Sequence, residues 1–242
     1  MIPKIIHYCW FGKKEKPSEL KKYIESWKTH LPDYKIIEWN ESNFDYRGWK
    51  YTREAYISKK YAFVSDVARL YALYMGGGIY LDTDILVLKD FDELLDNVTF
   101  IGYEADMLPG TGIIGAEKGT EWIGDFLKLY EEIPFISYKG RFDLMPNTVR
   151  LKKSGILQGC KFDNQEVIIN GIHIYPFDCL CAKEFLSNKI CQTDRTFCIH
   201  DYQSSWMSNN HLSTKRRLCN IINKIRAFTI AENHKITIYN DS

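Results

Sequence analysis

Two aspartates, Asp82 and Asp84, stand two positions apart after a short apolar segment. Carboxylate oxygens are ligands that suit Mg²⁺ and Mn²⁺. A cation held there could absorb the charge that builds on a diphosphate when its bond to a sugar breaks. If the chain is extended at this point, both side chains lie on one face. The spacing therefore predicts a divalent-metal site, in which one carboxylate holds the cation and the other reaches ribose or a metal-bound water.

The Asp-x-Asp pattern taken alone permits two other interpretations. One is a solvated turn between two strands. The other is a phosphatase of the haloacid dehalogenase type, which also places this pattern after an apolar strand and uses its first Asp as the nucleophile. That motif usually continues with Gly-Thr close to the N-terminus, whereas Ile85 and Leu86 follow here, about eighty residues into the chain. The neighbouring residues must decide between these interpretations.

Asp66 and Arg69 lie upstream, three positions apart in a segment with helical periodicity. Residues at this spacing share one face of a helix, and an ion pair on the helix surface is the simpler interpretation. Beside a metal site, the same pair offers a carboxylate for sugar hydroxyls and a guanidinium for phosphate. Because the pair adjoins the apolar stripe of Phe63 and Val67, we expect it to be partly exposed.

Alternating strands and helices must position these side chains. Runs of β-branched, apolar and aromatic residues predict strands near 4–10, 34–39, 79–81, 85–88, 100–103 and 112–116. Helical spacing predicts helices near 18–31, 59–75 and 122–130. The β-α-β opening favours a parallel sheet flanked by helices. We expect one domain over 1–212, followed by a basic amphipathic helix and tail over 213–242.

Composition sets the broad class. The chain has 242 residues, of which 45% are hydrophobic, enough for one sizeable core. A net charge of +1 gives no global field for nucleic acid, so we expect no nucleic-acid partner. The seven cysteines include no CxxC pair, which favours reduced thiols and a cytoplasmic location.

The run Ser65-Asp66-x-x-Arg69, continued by Gly77-Gly78-Ile79-Tyr80-Leu81-Asp82-x-Asp84, resembles the DXD-containing sugar-transfer family. That family groups bacterial capsule and lipopolysaccharide glycosyltransferases with fungal initiating mannosyltransferases, and the glucosyltransferase domains of large clostridial toxins share its pattern. Residues 2–12 and 32–40 are also similar to it, so the resemblance covers about 2–120, with a short match at 200–206. It implies a GT-A fold, a Rossmann-like mixed sheet flanked by helices, and retention of the donor's anomeric configuration.

Four roles on the donor side follow from the resemblance by position. Trp10 would stack on the nucleotide base. Asp66 and Arg69 would contact the donor sugar and the diphosphate, and Tyr80 would reach a phosphate. From the residues alone, Trp10 and Tyr80 are equally well interpreted as packed strand residues, and His7 as a satisfied core histidine.

The resemblance also implies the metal ligands. Asp84 would bind the cation directly, with Asp82 beside it on ribose, on the cation or on its bound water. Related enzymes place a His or an acid near the end of the domain as a further ligand, which predicts His200 here. An imidazole among the ligands favours Mn²⁺ over Mg²⁺. Ser205 and Trp206 would lie over the diphosphate.

The resemblance implies transfer of a hexose from a nucleotide-sugar to a hydroxyl of a glycan or lipid-linked acceptor in surface polysaccharide synthesis. We expect the donor to be a UDP-sugar, with GDP-mannose as the alternative. Front-face attack by that hydroxyl, with the departing β-phosphate taking the proton, is our hypothesis for the step. The basic segment 213–230 suits peripheral contact with the inner face of a membrane, and a helix packed on the body is the plain alternative. A non-catalytic sugar-nucleotide binder is a further alternative to an enzyme.

Overall fold

A computed structural model describes residues 1–104, 107–185 and 187–202. Its strands are β1 (Ile5–Cys9), β2 (Lys35–Trp39), β3 (Gly78–Leu81), β4 (Ile85–Val87), β5 (Thr99–Glu104), β6 (Leu108–Ala116), β7 (Val167–Ile169), β8 (Ile172–Tyr175) and β9 (Cys198–His200). Its helices are α1 (Ser18–His30), α2 (Lys50–Ile57), α3 (Tyr61–Gly76), α4 (Glu121–Glu132), α5 (Asn147–Lys153) and α6 (Phe177–Leu180), with a 3₁₀ turn at Asp92–Leu94.

The strands form one mixed sheet and one small ladder. The mixed sheet has the order β2-β1-β3-β6-β5-β8-β7. β1 pairs in parallel with both β2 and β3, whereas β6 runs antiparallel to its neighbours β3 and β5. β4 and β9 pair antiparallel outside this sheet. The predicted α/β class, a Rossmann-like mixed sheet flanked by helices, is confirmed.

α3 is the helix that precedes β3, and it is buried along most of its length. Val64, Val67 and Leu70 are inaccessible to solvent, as expected for a helix whose apolar stripe packs on the sheet. The helix ends at Gly76, and Gly77 follows with φ of 65°, a left-handed conformation that glycine adopts without a Cβ clash. The chain thereby reverses from α3 directly into β3.

His7 in β1 supports this reversal. Its Nε2 lies 2.8 Å from the carbonyl oxygen of Gly77, and its Nδ1 accepts a hydrogen bond of 3.0 Å from the indole of Trp39. An Nδ1 that accepts must be unprotonated, so Nε2 carries the hydrogen and donates to Gly77. Burial lowers the pKa of His7 and keeps the ring neutral. His7 is thus a core histidine whose two nitrogens both have partners.

Three short helices were not predicted from the sequence: α2, α5 and the single turn α6. α2 has only eight residues, of which Tyr51, Thr52 and Ala55 are buried, and its aromatic and β-branched content is not typical of a helix. α5 is shorter still and follows a proline at its N-cap. None of the helices in the described ranges is both long and apolar enough to cross a membrane. The predicted helix and tail at 213–242 lie outside the described residues.

Candidate active site

Asp82 and Asp84 lie in a turn between β3 and β4. The amide of Ile85 donates to the carbonyl of Asp82 over 3.1 Å, which closes the turn. The extended conformation considered from the sequence is therefore wrong. The turn forms because β3 pairs with β6 in the main sheet, while β4 leaves that sheet to pair with β9.

The short β4–β9 ladder brings His200 to this turn. The register places His200 opposite Ile85, next in sequence to Asp84. A backbone bond of 2.9 Å from the amide of Asp201 to the carbonyl of Asp84 extends the contact by one residue. The indole of Trp27 in α1 donates to the carbonyl of Ile85 over 2.7 Å and fixes β4 from its other side.

Asp82, Asp84 and His200 together form a candidate metal centre. Each offers one ligand atom, and these atoms all lie within 4.8 Å of one another. His200 Nε2 is 3.2 Å from Asp84 Oδ1. Burial opposes protonation of His200, but the Asp84 carboxylate outweighs burial and holds the pKa of the imidazole well above its usual value. Two carboxylates and one imidazole fit Mn²⁺ or Mg²⁺, and binding of either cation would require His200 to be neutral.

Gly112 on β6 leaves the space that this cluster needs. A Cβ at position 112 would lie 2.9 Å from His200 Cε1 and 3.0 Å from Asp82 Oδ2. Contacts this short are not tolerated between non-bonded atoms, so any side chain here would displace a candidate ligand. The carbonyl of Gly112 also accepts the amide of Asp82 over 2.7 Å.

Arg69 connects Asp66 to the metal cluster. Its Nη2 lies 2.9 Å from Asp66 Oδ1 and 3.3 Å from Asp82 Oδ1, and its Nη1 donates to the carbonyl of Thr111. The guanidinium carbon lies 4.7 Å from the centroid of the Tyr80 ring. Arg69 is only 6% exposed and Asp66 only 8%. The surface ion pair and the partial exposure expected from the sequence are both wrong, because β3 and β6 cover this face of α3.

Tyr80 is buried and directed at Asp82. Its hydroxyl donates to Asp82 Oδ1 over 2.8 Å, the same oxygen that Arg69 approaches. Burial raises the pKa of Asp82, and the nearby charges of Arg69 and His200 oppose that rise. Tyr80 and Arg69 therefore fix the orientation of this carboxylate. Their predicted contacts with a phosphate stay predictions.

Trp10 lies at the end of β1, half-buried. β1 and β3 are parallel neighbours, so Trp10 and Asp82 follow their strands at the same edge of the sheet. The indole Nε1 donates to the carbonyl of Lys14 over 2.8 Å, which orients the ring. The stacking of Trp10 on a base stays a prediction, and Ser205 and Trp206 lie outside the described residues.

Glu104 is a site residue that the sequence analysis missed. It ends β5 and accepts the amides of Thr111 and Gly112 through Oε1, at 3.1 and 3.3 Å. The same oxygen lies 4.0 Å from His200 Nδ1. Burial raises the pKa of Glu104, and His200 partly offsets this. An acid directly after the apolar segment 100–103 was the available signal.

Residues 17–101 match the model of one protein family, described as the glycosyltransferase sugar-binding region containing a DXD motif. The matched range includes Asp66, Arg69, Tyr80, Asp82 and Asp84. Residues 17–101 are therefore a DXD-containing sugar-binding region of the glycosyltransferase type. The resemblance drawn from the sequence motifs is thereby confirmed.

Two relatives of the DXD region come from Schizosaccharomyces pombe. Inositol phosphoceramide mannosyltransferase 1 is 32% identical over 175 residues, which cover 66% of this chain and 52% of the relative. Inositol phosphoceramide mannosyltransferase 3 is 28% identical over 152 residues, which cover 58% of this chain and 40% of the relative. The chain thus spans about half the length of these relatives or less.

Two solved structures align with most of the chain. One is the galactosyltransferase LgtC in complex with donor and acceptor sugar analogues, with 11% identity, a TM-score of 0.45 and coverage of 91% of this chain and 95% of that one. The other is a glycosyltransferase involved in glycosylation of the major capsid of PBCV-1, with 14% identity, a TM-score of 0.45 and coverage of 84% and 95%.

Proposed function

We propose that this chain is a metal-dependent, retaining glycosyltransferase of the GT-A type, which moves a hexose from a nucleotide-sugar to a hydroxyl acceptor. The observation that carries the proposal is the cluster of Asp82, Asp84 and His200 next to Arg69. Both aspartates and Arg69 lie in the segment that matches the DXD glycosyltransferase family. The family match also favours transfer over the phosphatase interpretation of the Asp-x-Asp pattern.

Asp82, Asp84 and His200 would hold the cation, and the imidazole favours Mn²⁺. When bound, the cation supplies positive charge against the diphosphate that leaves the sugar. Asp66 and Arg69 would bind the donor. The Asp66 carboxylate would accept hydrogen bonds from sugar hydroxyls, and the Arg69 guanidinium would donate to a phosphate oxygen. Arg69 is already oriented for this by its bonds to Asp66 and to the carbonyl of Thr111. A site whose groups are oriented before the donor binds needs little rearrangement during the reaction.

The acceptor hydroxyl would attack the anomeric carbon from the face that the diphosphate leaves. The bond from the anomeric carbon to the β-phosphate oxygen breaks, the bond to the acceptor oxygen forms, and the β-phosphate oxygen takes the hydroxyl proton. The configuration at the anomeric carbon is thereby retained without an enzymic nucleophile. A covalent glycosyl-enzyme adduct trapped with a slow donor would contradict this step.

The donor and acceptor are proposed as classes. The motif around Trp10 resembles users of UDP-sugars, whereas two relatives are named mannosyltransferases, so UDP-hexoses and GDP-mannose are both candidate donors. Those names also state a lipid acceptor, which supports a glycan or lipid-linked acceptor here. Synthesis of a surface polysaccharide or glycolipid in the cytoplasm, at the inner face of the membrane, is the corresponding setting.

Hydrolysis of the donor tests the proposal without knowledge of the acceptor. The full chain is incubated with a panel of UDP- and GDP-sugars and Mn²⁺, and released nucleotide is measured. We expect slow release from at least one donor, abolished by EDTA and by Asp84→Asn. Tyr34→Phe serves as a matched control, because its hydroxyl bonds Asp92 and not the metal cluster. Hydrolysis of phosphomonoesters with no release from any nucleotide-sugar would favour the phosphatase, and donor binding without turnover with any acceptor would favour a non-catalytic binder.

A further inference from the structure

Residues 136–142 form a tight hairpin between α4 and α5. Ile136 and Phe142 pair as an antiparallel bridge, and the amide of Ser137 donates to the carbonyl of Arg141 over 2.9 Å. The amide of Gly140 donates back to the carbonyl of Ser137 over 2.8 Å. Tyr138 and Lys139 stand at the tip of this hairpin.

The hairpin presents apolar side chains to solvent, although its base is anchored in the core. Tyr138 is 93% exposed, and Leu144 directly after the hairpin is 53% exposed. In contrast, Phe135 at the base is fully buried and packs edge-on against Tyr51 of α2. The Phe142 ring stacks on Phe135 at 5.4 Å. Tyr138, Phe142 and Leu144 are exposed within seven consecutive residues, and grouped exposed apolar side chains are typical of an interaction site.

The turn between α2 and α3 extends the same surface. Phe135 packs on Tyr51, and the next residue, Ile136, donates its amide to Glu54 over 2.8 Å, one helical turn further along α2. Phe63 near the start of α3 also packs on Phe135, so the turn between α2 and α3 lies near the base of the hairpin. Ile57, the last residue of that helix, is 71% exposed. The hairpin surface is defined as residues 57–60 and 138–144.

The charge of this surface is predominantly positive, with a single acid, Asp143, inside its bounds. Segments 57–60 and 136–142 contain four basic residues and no Asp or Glu: Lys59, Lys60, Lys139 and Arg141. The next acid, Asp143, is paired with Arg150 of α5. Glu131 and Glu132 precede the hairpin and are separated from its tip by the buried Phe135. Aromatic and aliphatic tips surrounded by cations match the interface of an anionic bilayer, where rings lie at headgroup level and basic residues meet lipid phosphates.

We propose that the hairpin surface docks this protein on an anionic lipid bilayer. Tyr138, Leu144 and Ile57 enter the headgroup layer, while the four basic side chains contact lipid phosphates. The docking residues proposed here are different residues from the basic segment 213–230 considered from the sequence. The docking does not depend on the proposed glycosyltransferase activity, because vesicle binding is measured without a donor or an acceptor.

Flotation of the full chain with vesicles tests the proposal. The probes are phosphatidylcholine vesicles with and without phosphatidylglycerol. We expect flotation with the anionic vesicles only. Lys139→Gln with Arg141→Gln should lower the partition coefficient about 25-fold, since each basic residue near such a surface contributes about fivefold. Tyr138→Ser with Leu144→Ser should lower it about tenfold or more, because both side chains lose contact with the bilayer.

Matched controls place the same changes elsewhere on the surface. Lys21→Gln with Lys118→Gln, and Val98→Ser with Ile168→Ser, alter residues that are also exposed and should change partitioning less than about twofold. Thermal melting checks that every variant is folded. Lys139 and Arg141 are both exposed, so we expect their substitution to leave the folded state intact. The proposal fails if wild type does not float, if the hairpin variants float as wild type does, or if the controls lose as much. Hairpin variants that float normally would leave 213–242 as the segment that carries any bilayer contact.

Discussion

At Asp82, one carboxylate oxygen receives both the Tyr80 hydroxyl and the Arg69 guanidinium. Sequence spacing indicated Asp82 and Arg69, whereas Tyr80 came from the family resemblance, which implied contacts of Tyr80 and Arg69 with the donor phosphates. The sequence could not show their burial, because the exposure of a helix face depends on the strands that cover it. The structure assigns Tyr80 a role through Asp82, as a positioning residue.

Tyr80→Phe tests this positioning role. The variant keeps the ring over Arg69 and removes one hydrogen bond to Asp82, a loss of about 1 kcal/mol. We expect the rate of donor hydrolysis to fall about five- to tenfold, with a weaker apparent affinity for Mn²⁺. Tyr34→Phe removes a comparable bond to Asp92 and should leave both quantities unchanged. Equal rates of donor hydrolysis for Tyr80→Phe and wild type would contradict a positioning role for Tyr80.

The burial of Asp66 predicts how the free energy of unfolding depends on pH. This prediction is tested in the presence of a chelator and does not require enzymatic activity. Burial raises the pKa of Asp66 from 3.8 to about 6, although Arg69 opposes the rise. Between these pH values the folded state holds a proton that the unfolded state has released, so wild type loses stability as pH rises through this window. Asp66→Asn lacks this titration. The free energy of unfolding of wild type minus that of the variant should therefore fall from pH 4 to pH 6 in urea titrations. A constant or rising difference would contradict the burial of a charged Asp66.

At the scale of elements, the site depends on which strands meet. The apolar periodicities predicted the positions of β1, β2, β3 and α3 closely, because a strong local periodicity is enough to indicate whether a segment is a strand or a helix. The pairing of β4 with β9 was beyond the sequence, because a three-residue ladder between positions 85 and 200 has no local signal. His200 was accordingly found by motif similarity and not by any feature of its own segment.

Gly112→Ala tests the fit of β6 against the metal cluster. The added Cβ would lie within 3.0 Å of atoms of His200 and Asp82, so both ligands must shift. We expect the affinity for Mn²⁺ to fall at least about tenfold, equivalent to about 1.4 kcal/mol, in isothermal titration. Gly76→Ala is the control, since its Cβ would meet the His7 ring at 3.8 Å, an ordinary contact. Unchanged Mn²⁺ affinity in Gly112→Ala would show that the ligands lie elsewhere.

At the scale of the whole molecule, the mixed sheet brings groups from distant segments to one edge. Trp10 follows β1, the turn at 82–84 follows β3, and Glu104 ends β5. Parallel β1 and β3 present their carboxyl ends together, and binding sites in open α/β sheets form at such edges. A β-α-β sequence pattern predicts this convergence. It does not predict that β6, which supplies Gly112, lies antiparallel next to β3, and only the structure shows this pairing.

Binding of Mn²⁺ to the full chain tests the metal centre directly, and the electron paramagnetic resonance signal of free Mn²⁺ follows that binding. Wild type should bind one ion at this centre, and Asp84→Asn and His200→Ala should each weaken that binding at least about tenfold, with unfolding midpoints in chelator close to wild type. Lys21→Gln should bind as wild type does. Equal Mn²⁺ affinity in wild type, Asp84→Asn and His200→Ala would contradict the metal centre on which the proposed transfer depends.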